Sequence, residues 1–267
     1  RVIEEGIDYI CFTDTPEKIP EAWETRILSD TDLSNKLKSG KVKTQPHIYF
    51  SEYERSVWID ANVGILKRIR PYIMNILEET NLAVPQHPRR NCIYDEAQAC
   101  IKSGKSDKKT TKELIKKYRN EKFPQNFGLS ETRILIRRHN DPKVVSTMNK
   151  WWSEYKNGPE RDQLSFDYVC WKEELDYDFL SSDITTNSKY FKRFPHKSHT
   201  ISETLYEFLL RSWWQSTTET HSRILFIIFN LYLKICILIN YPPKAINIVI
   251  NEGLKRLICK LSNKLIK

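Results

Sequence analysis

The chain has 267 residues, of which 40% are hydrophobic and 12% aromatic, and its formal net charge is +9. This composition supports a substantial core and excludes a compositionally disordered chain. The charge favours an anionic partner (nucleic acid, a phosphate-bearing small molecule or a membrane surface), although a well-solvated basic surface would carry the same charge. The six cysteines form no CxxC pair, which argues against a zinc ribbon or a disulfide scaffold and favours a reducing compartment.

Predicted strands and helices alternate along residues 1–199. Strands are predicted in IDYICFTD, in WETRIL, at the end of SEYERSVWID and in NLAVPQHP, and a helix in ILKRIRPYIMNILEE. Two helices follow in IYDEAQACIKSGKSDKKTTKELIKKYRNEKFP, then the strand RILIRRHN and the helices PKVVSTMNKWWSEYKN and RDQLSFDYVCWKEE. The alternation predicts an α/β domain with a largely parallel central sheet.

A basic, amphipathic helical extension is predicted over residues 200–267. Its most apolar stretch is short for a membrane span and is interrupted by Asn230 and Lys234, so we do not expect it to cross a membrane. Two interpretations stay open. The extension attaches in plane to an anionic membrane, or it packs on the core or on a second subunit.

Several familiar chemistries have no motif in this chain. There is no GxxxxGK[ST] loop, no GxGxxG, no GxSxG and no HExxH, and only seven glycines occur. An anionic ligand would therefore have to be held by a cation, by Arg or Lys side chains, or by helix N-termini.

The tripeptide Asp60-Ala61-Asn62 follows the predicted strand SVWI. Residues i and i+2 of an extended chain point to the same side, and ligands of parallel sheets bind beyond the carboxyl ends of the strands. Asp60 and Asn62 therefore present two side-chain oxygens of the kind that suits Mg²⁺ or Mn²⁺. The alternative is that Asp60 caps a turn or a helix start.

Five segments in this order carry a wider resemblance: YICFTD, PHIYFSEYERSVWIDANVGI, HPRRNCIYDEAQAC, GLSETRILIRRHND and WWSEYKNGPERDQLSFDYV. Together they resemble a family of glycosyltransferases that includes plant mucilage hexosyltransferase-like proteins and bacterial polysaccharide enzymes, with WIDAN and RDQLSF as the most specific parts. The resemblance implies a Rossmann-like GT-A fold, a nucleotide-diphosphate-sugar donor, and Mn²⁺ or Mg²⁺ on an Asp-x-Asp-like motif. Asp60-Ala61-Asn62 stands in that motif's place, with Asn62 where the second acid would be.

The resemblance also implies roles at the donor site. Phe12, Thr13 and Asp14 end the first strand, where GT-A enzymes receive the base and ribose, although Asp14 would look the same as a strand-end cap. Lys43 precedes the metal strand and could reach the diphosphate, or it is a surface residue. For donor diphosphate or acceptor binding we consider the set His87, Arg89 and Arg90; the alternative is a loop salt bridge to Glu96.

Further roles concern the sugar, the acceptor and the metal. Arg138 and His139 follow the strand RILI at a sheet rim and could bind sugar hydroxyls, or His139 is a structural histidine. Arg161, Asp162 and Gln163 open a helix and are the candidate catalytic residues. Asp162 would be the general base of an inverting enzyme, would orient the donor in a retaining one, or would simply cap the helix. His196 could supply a third metal ligand, or it lies in a surface loop.

The sequence thus predicts a metal-dependent hexosyltransferase that uses a nucleotide sugar, with UDP-sugar as first choice, and a glycan or lipid-linked acceptor in surface polysaccharide synthesis. We expect it on the cytoplasmic face of the membrane, as a monomer or a homo-oligomer. One rival is a GT-A-like protein that binds glycan or nucleotide without turnover, which Asn62 favours. A nucleic-acid-binding module is the other, but the basic residues lie in helices and tails rather than among aromatics on strands, so we expect no nucleic-acid partner.

Overall fold

The computed structural model describes residues 3–28, 32–186 and 188–194. The chain divides into two compact units, Val2–Lys192 and a second that holds Arg1 and Arg193–Lys267. The predicted extension at 200–267, its predicted membrane contact and His196 lie outside the described residues. Within the described part, no helix is long and apolar enough to cross a membrane.

The strands are β1 (Ile10–Phe12), β2 (Glu24–Arg26), β3 (Ser56–Ile59), β4 (Val63–Ile65), β5 (Leu82–Pro85), β6 (Ile134–Arg137), β7 (Asp178–Leu180) and β8 (Phe191–Arg193). The α-helices are α1 (Asn35–Thr44), α2 (Pro46–Tyr49), α3 (Arg70–Glu79), α4 (Ile93–Lys102), α5 (Lys108–Asn120), α6 (Pro142–Asn157) and α7 (Phe166–Lys172). Short 3-10 helices occupy Pro16–Lys18 and Asp162–Leu164.

The central sheet has four strands in the order β3-β6-β5-β7, and β1-β2 and β4-β8 form two-stranded sheets. The predicted α/β class is confirmed, but the predicted largely parallel sheet is not. Strand β6 runs antiparallel to both of its neighbours, pairing Ser56 with Arg137 on one side and Leu82 with Arg137 on the other, and only β5 and β7 are parallel.

The number of helices between strands accounts for this difference. One α-helix, α3, connects β3 to β5, and these two strands point the same way because both run antiparallel to β6. Two α-helices connect β5 to β6, and two more connect β6 to β7, and each of these connections reverses the strand direction. A pair of helices brings the chain back to the edge of the sheet from which it left, whereas a single crossover helix carries it to the opposite edge.

The hydrophobic core lies on both faces of the central sheet. Along β6, Leu135 belongs to the cluster that includes Trp151 of α6, whereas Ile134 and Ile136 belong to the cluster that includes Leu77 of α3. All of these side chains are buried. The alternation follows the two-residue period of a strand, so the sheet is a middle layer with helices on either side.

The antiparallel course of β6 decides which residues meet at each edge of the sheet. The residues after β3 and β5 share one edge with the residues before β6: Asp60 N donates to Arg133 O at 2.9 Å, and His87 N donates to Leu129 O at 2.7 Å. Residues that follow β6 lie at the opposite edge. The four-residue strands separate the two edges by about 13 Å at a rise of about 3.3 Å per residue.

Candidate functional site

Helix α1 carries Lys43 into the protein. The helix begins at the N-cap Ser34, whose side chain accepts a hydrogen bond from Leu37 N. Gly40 faces Tyr155 of α6 so closely that a Cβ at this position would lie 2.1 Å from Tyr155 Cε1. Only glycine permits this approach, which places the last turn of α1 against α6. At that turn the Lys43 carbonyl accepts from Arg137 Nη1 at 2.7 Å, and the Lys43 side chain is 7% exposed.

The Lys43 ammonium group lies between two carboxylates. Lys43 Nζ is 2.5 Å from Asp162 Oδ2 and 3.4 Å from Asp60 Oδ1. It also donates to Thr132 Oγ1 at 3.4 Å, and it stands 5.8 Å from the centre of the Trp58 ring. A buried ammonium needs acceptors for its three N–H groups, and this arrangement supplies three.

Asp60 is the more exposed of the two acids, with 38% of its side chain accessible against 19% for Asp162. Trp58 Nε1 donates to Asp60 Oδ1 at 2.9 Å, which fixes the carboxylate on the side of the strand that faces Lys43. Val63 N donates to the Asp60 carbonyl at 2.8 Å, and Ala61 and Asn62 form the turn between them. The predicted tripeptide is therefore the turn from β3 to β4, with Asp60 at its start.

Asp162 opens the 3-10 helix that precedes α7. Burial would raise the pKa of this carboxyl, but the charge and hydrogen bond of Lys43, the charge of Arg161 and the Thr132 hydroxyl outweigh it and lower the pKa to about 2. Thr132 Oγ1 donates to Asp162 Oδ2 at 2.9 Å, and Trp151 Nε1 donates to the Asp162 carbonyl at 3.0 Å. Lys43, Thr132 and Arg161 thus hold the Asp162 carboxylate as an anion, and Trp151 fixes its backbone.

Arg161 and Gln163 flank Asp162 and anchor its loop. Gln163 is buried, and its Nε2 donates to the Ser130 carbonyl at 2.9 Å. Arg161 Nη2 donates to Gln163 Oε1 at 3.1 Å. These contacts tie the Asp162 turn to the segment that enters β6, so two of the three predicted catalytic side chains support the third.

The predicted set His87, Arg89 and Arg90 lies at the same edge of the sheet, after β5. His87 Nδ1 accepts from the backbone N–H groups of Arg89 and Arg90 at 3.2 and 3.0 Å, and burial lowers the His87 pKa, although Glu96 opposes this shift. Arg90 Nε lies 2.5 Å from Glu96 Oε2, which is the loop salt bridge considered above. Arg89 is exposed at this edge.

The first strand leads to a different set of neighbours. Phe12 packs edge-on against Tyr49 and Phe50, with ring centroids 5.6 and 5.8 Å apart. Thr13 Oγ1 accepts from the backbone N–H of Thr15 at 3.0 Å, and Asp14 is exposed. The base and ribose contacts predicted for Phe12, Thr13 and Asp14 remain predictions.

Arg138 and His139 follow β6 and therefore lie at the edge opposite Asp60. Arg138 Nη2 donates to the Leu77 carbonyl at 2.8 Å, at the end of α3. His139 is fully buried, its Nε2 is 2.8 Å from the Phe50 carbonyl, and burial lowers its pKa. The structure does not bring these two residues together with Lys43 and Asp162, because β6 runs opposite to the direction that the prediction assumed.

The geometry also tests the predicted divalent ion. The described residues contain no group of three His, Cys, Asp or Glu side chains that could hold a metal ion. A divalent ion on Asp60 would stand beside the ammonium group that is 3.4 Å from Asp60 Oδ1. Because like charges repel strongly at such distances, the described residues do not fit the predicted Mn²⁺ or Mg²⁺ site. The third predicted ligand, His196, lies outside them.

Sequence reasoning missed Trp58 and Thr132. Trp58 could have been found, because it stands two residues before Asp60 on the same strand, and side chains at i and i+2 share a face. Thr132 precedes β6, and it meets Asp162 only because β6 is antiparallel to β3. No local sequence signal gives that direction.

Comparisons with known proteins bear on the family to which the chain belongs. No curated protein and no solved structure matches the chain. A family model described as "TOD1/MUCI70, glycosyltransferase-like domain" matches residues 12–196, which is more than half of the chain and includes Lys43, Asp60 and Asp162. The resemblance to mucilage hexosyltransferase-like proteins is confirmed. The chain therefore belongs to the TOD1/MUCI70 glycosyltransferase-like family.

Proposed function

We propose that the protein transfers a hexose from a nucleotide-diphosphate sugar, with UDP-sugar as first choice, to a glycan or lipid-linked acceptor in surface polysaccharide synthesis. One observation carries the proposal. In a chain of a glycosyltransferase-like family, Lys43, Asp60 and Asp162 converge at the sheet edge formed by the carboxyl ends of β3 and β5. Ligands of open α/β sheets bind at such edges.

The charged side chains at this edge suit phosphate groups and sugar hydroxyl groups. Arg89 is exposed there and presents the planar fork that binds phosphate oxygens in pairs. Asp60, at 38% exposed, is accessible to hydroxyl groups of a sugar. A diphosphate and a hydroxyl-rich ring would thus each meet a side chain of matching chemistry.

Asp162 is assigned to orientation rather than to proton removal. A carboxylate whose pKa is about 2 is a weak base at neutral pH and accepts a proton poorly from an acceptor hydroxyl. A fixed negative charge nevertheless orients the donor sugar and favours positive charge that develops on its ring. This is the role that a retaining enzyme gives to such an acid.

The remaining partners and the location rest on the sequence. We propose attachment to the cytoplasmic face of a membrane through residues 200–267, near a lipid-linked or glycan acceptor, with self-association as the alternative use of that extension. Both proposals concern residues outside the described part of the chain. Binding to anionic vesicles is measured on the full chain and on a chain without residues 200–267. Loss of binding in the shorter chain supports membrane attachment, and loss of self-association alone supports the alternative.

The test of the function is a thermal-shift screen of nucleotide sugars on the full chain, followed by a hydrolysis assay with the donor that stabilises it. We expect one donor class to raise the melting temperature and to be hydrolysed, and we expect Asp162→Asn to abolish hydrolysis. Asp95→Asn is the matched control, because Asp95 is an exposed acid on α4. Stabilisation without any turnover would instead favour the binding protein, and no stabilisation by any nucleotide sugar would refute the proposal.

A further inference from the structure

The surroundings of the Lys43 ammonium group resemble those of a bound cation more than those of a surface ion pair. Its side chain is 7% exposed, and its neighbours are two carboxylates, the Thr132 hydroxyl and the face of the Trp58 ring. Carboxylate and hydroxyl oxygens are the groups that hard cations take as ligands. An aromatic face adds a further attraction for positive charge.

We propose that Lys43 supplies the cation at this site and that donor binding does not require a divalent metal ion. The proposal rests on the proposed function in so far as it concerns a nucleotide donor. Its part about the cation stands on the geometry of Lys43, Asp60 and Asp162 alone. Lys43 acts as a positioning residue, because it holds Asp60 and Asp162 at fixed places through its own charge.

The balance of charge supports a monovalent cation. Asp60 and Asp162 contribute two negative charges, and Lys43 and Arg161, which both act on the Asp162 carboxyl, contribute two positive ones. The next oxygen-bearing side chain along the turn is the amide of Asn62, which is neutral and adds no charge that would attract a second cation. A divalent ion on Asp60 would also have to displace an ammonium group whose partner, Asp162, is partly buried at 19% exposed.

The hydrogen-bond distances at Asp60 and Asp162 also argue against a divalent ion at this site. Divalent ions hold oxygen ligands at roughly 2.0–2.6 Å. Asp162 Oδ2 already has two donors, Lys43 Nζ at 2.5 Å and Thr132 Oγ1 at 2.9 Å, and Asp60 Oδ1 has Trp58 Nε1 at 2.9 Å. With Lys43 Nζ also 3.4 Å from Asp60 Oδ1, each of these two oxygens already has two donors.

The direct test is a titration of the full chain with Mn²⁺, in which the free ion is followed by electron paramagnetic resonance. We expect the wild-type protein and the Asp60→Asn variant to give the same binding curve. A wild-type Mn²⁺ site that disappears in Asp60→Asn would overturn the proposal. This comparison needs no Lys43 variant, so it decides the matter even if such variants fail to fold.

The Lys43→Ala variant offers a test in the opposite direction. Removing the ammonium group leaves two facing carboxylates and an open space, so we expect the variant to gain one Mn²⁺ site that the Lys43→Ala/Asp60→Asn double variant lacks. Lys150→Ala is the matched control, since it removes an exposed lysine that pairs with Glu173, and it should gain no site. A folded Lys43→Ala protein that gains no Mn²⁺ site would count against the proposal.

UDP binding separates this inference from the proposed function. We expect the wild-type Kd for UDP to agree within about twofold in EDTA and in Mn²⁺. Tighter binding by about tenfold or more in Mn²⁺, lost in Asp60→Asn, would overturn the inference. If UDP binds in neither condition, the choice of a UDP donor fails, while the Mn²⁺ titration still decides which cation the site uses.

Discussion

Lys43 Nζ and Asp162 Oδ2 lie 2.5 Å apart although 119 residues separate them in the sequence. The contact joins the end of α1 to the 3-10 helix before α7, and both side chains are largely buried. Because Asp162 is held as an anion there, loss of Lys43 would leave an incompletely neutralised and partly buried carboxylate.

The first prediction concerns that pair. Lys43→Met keeps the apolar stem but removes the charge. It should lower the free energy of unfolding by about 3 kcal/mol, because removing one partner of a buried ion pair leaves the other charge uncompensated. Urea unfolding measures this change. Lys150→Met, at an exposed pair with Glu173, should change the same quantity by less than about 1 kcal/mol. Equal effects of the two substitutions would show that the Lys43 pair is an ordinary surface contact.

The second prediction concerns the approach of α1 to α6. Gly40→Ala would place a Cβ 2.1 Å from Tyr155 Cε1, so the helix must shift, and we expect a loss of about 1–3 kcal/mol of stability. Since Lys43 lies one turn further along α1, the shift should also lower transferase activity. Ser39→Ala, at an exposed position of the same helix, should do neither. An unchanged urea midpoint in Gly40→Ala would mean that the two helices are not in close contact.

Most of the described helices and strands were predicted from the sequence, but α1, α2, β4, β7 and β8 were not, and neither was the direction of β6. The apolar run around Ile134 predicts a buried strand, but nothing in it indicates at which edge of the sheet the strand begins. That direction depends on α4 and α5 packing as a pair; the sequence predicts two helices there but not how they pack. The consequence falls on the site, because it separates Arg138 and His139 from Asp60 and brings Thr132 to Asp162.

The roles predicted for Asp60 and Asp162 came from the family resemblance rather than from spacing. Local patterns place each acid at the end of an element, which equally fits a cap. Lys43 illustrates the limit more sharply, since a lysine in a polar, basic stretch with no predicted helix is typical of a solvated surface. In the structure, close packing at Gly40 holds the last turn of α1 against α6, and Lys43 is buried.

The third prediction is a pH dependence of stability that centres on Asp167. This carboxyl is fully buried, and it accepts hydrogen bonds from Ser130 N at 3.1 Å, from the Ser130 hydroxyl and from Tyr177 OH at 2.8 Å. Burial raises its pKa from 3.8 to about 6, although these hydrogen bonds oppose the shift. Between pH 4 and 6 the folded protein therefore holds a proton that the unfolded chain has lost.

The sign follows from this difference in bound protons. The contribution of Asp167 to stability is greatest below its unfolded pKa of 3.8 and is lost as the pH rises towards about 6, over a range worth about 3 kcal/mol. Asp167→Asn should remove this decline, because the amide is neutral at every pH and can still accept from Ser130 N. Urea unfolding of both proteins at a series of pH values measures the difference. Parallel pH profiles would show that Asp167 titrates normally.

The fourth prediction separates two neighbouring arginines. Arg90 pairs with Glu96, whose side chain is 5% exposed, so Arg90→Ala should destabilise the protein by about 3 kcal/mol because it leaves a buried carboxylate without its closest cation. Arg89 is exposed at the same edge, so Arg89→Ala should leave stability unchanged and weaken binding of a nucleotide diphosphate by about tenfold, the loss of one charged hydrogen-bonding partner. Urea unfolding and isothermal titration with UDP measure the two quantities on each variant. The two substitutions thus change different quantities if this edge binds the diphosphate through Arg89. Unchanged UDP affinity in Arg89→Ala would place the diphosphate elsewhere.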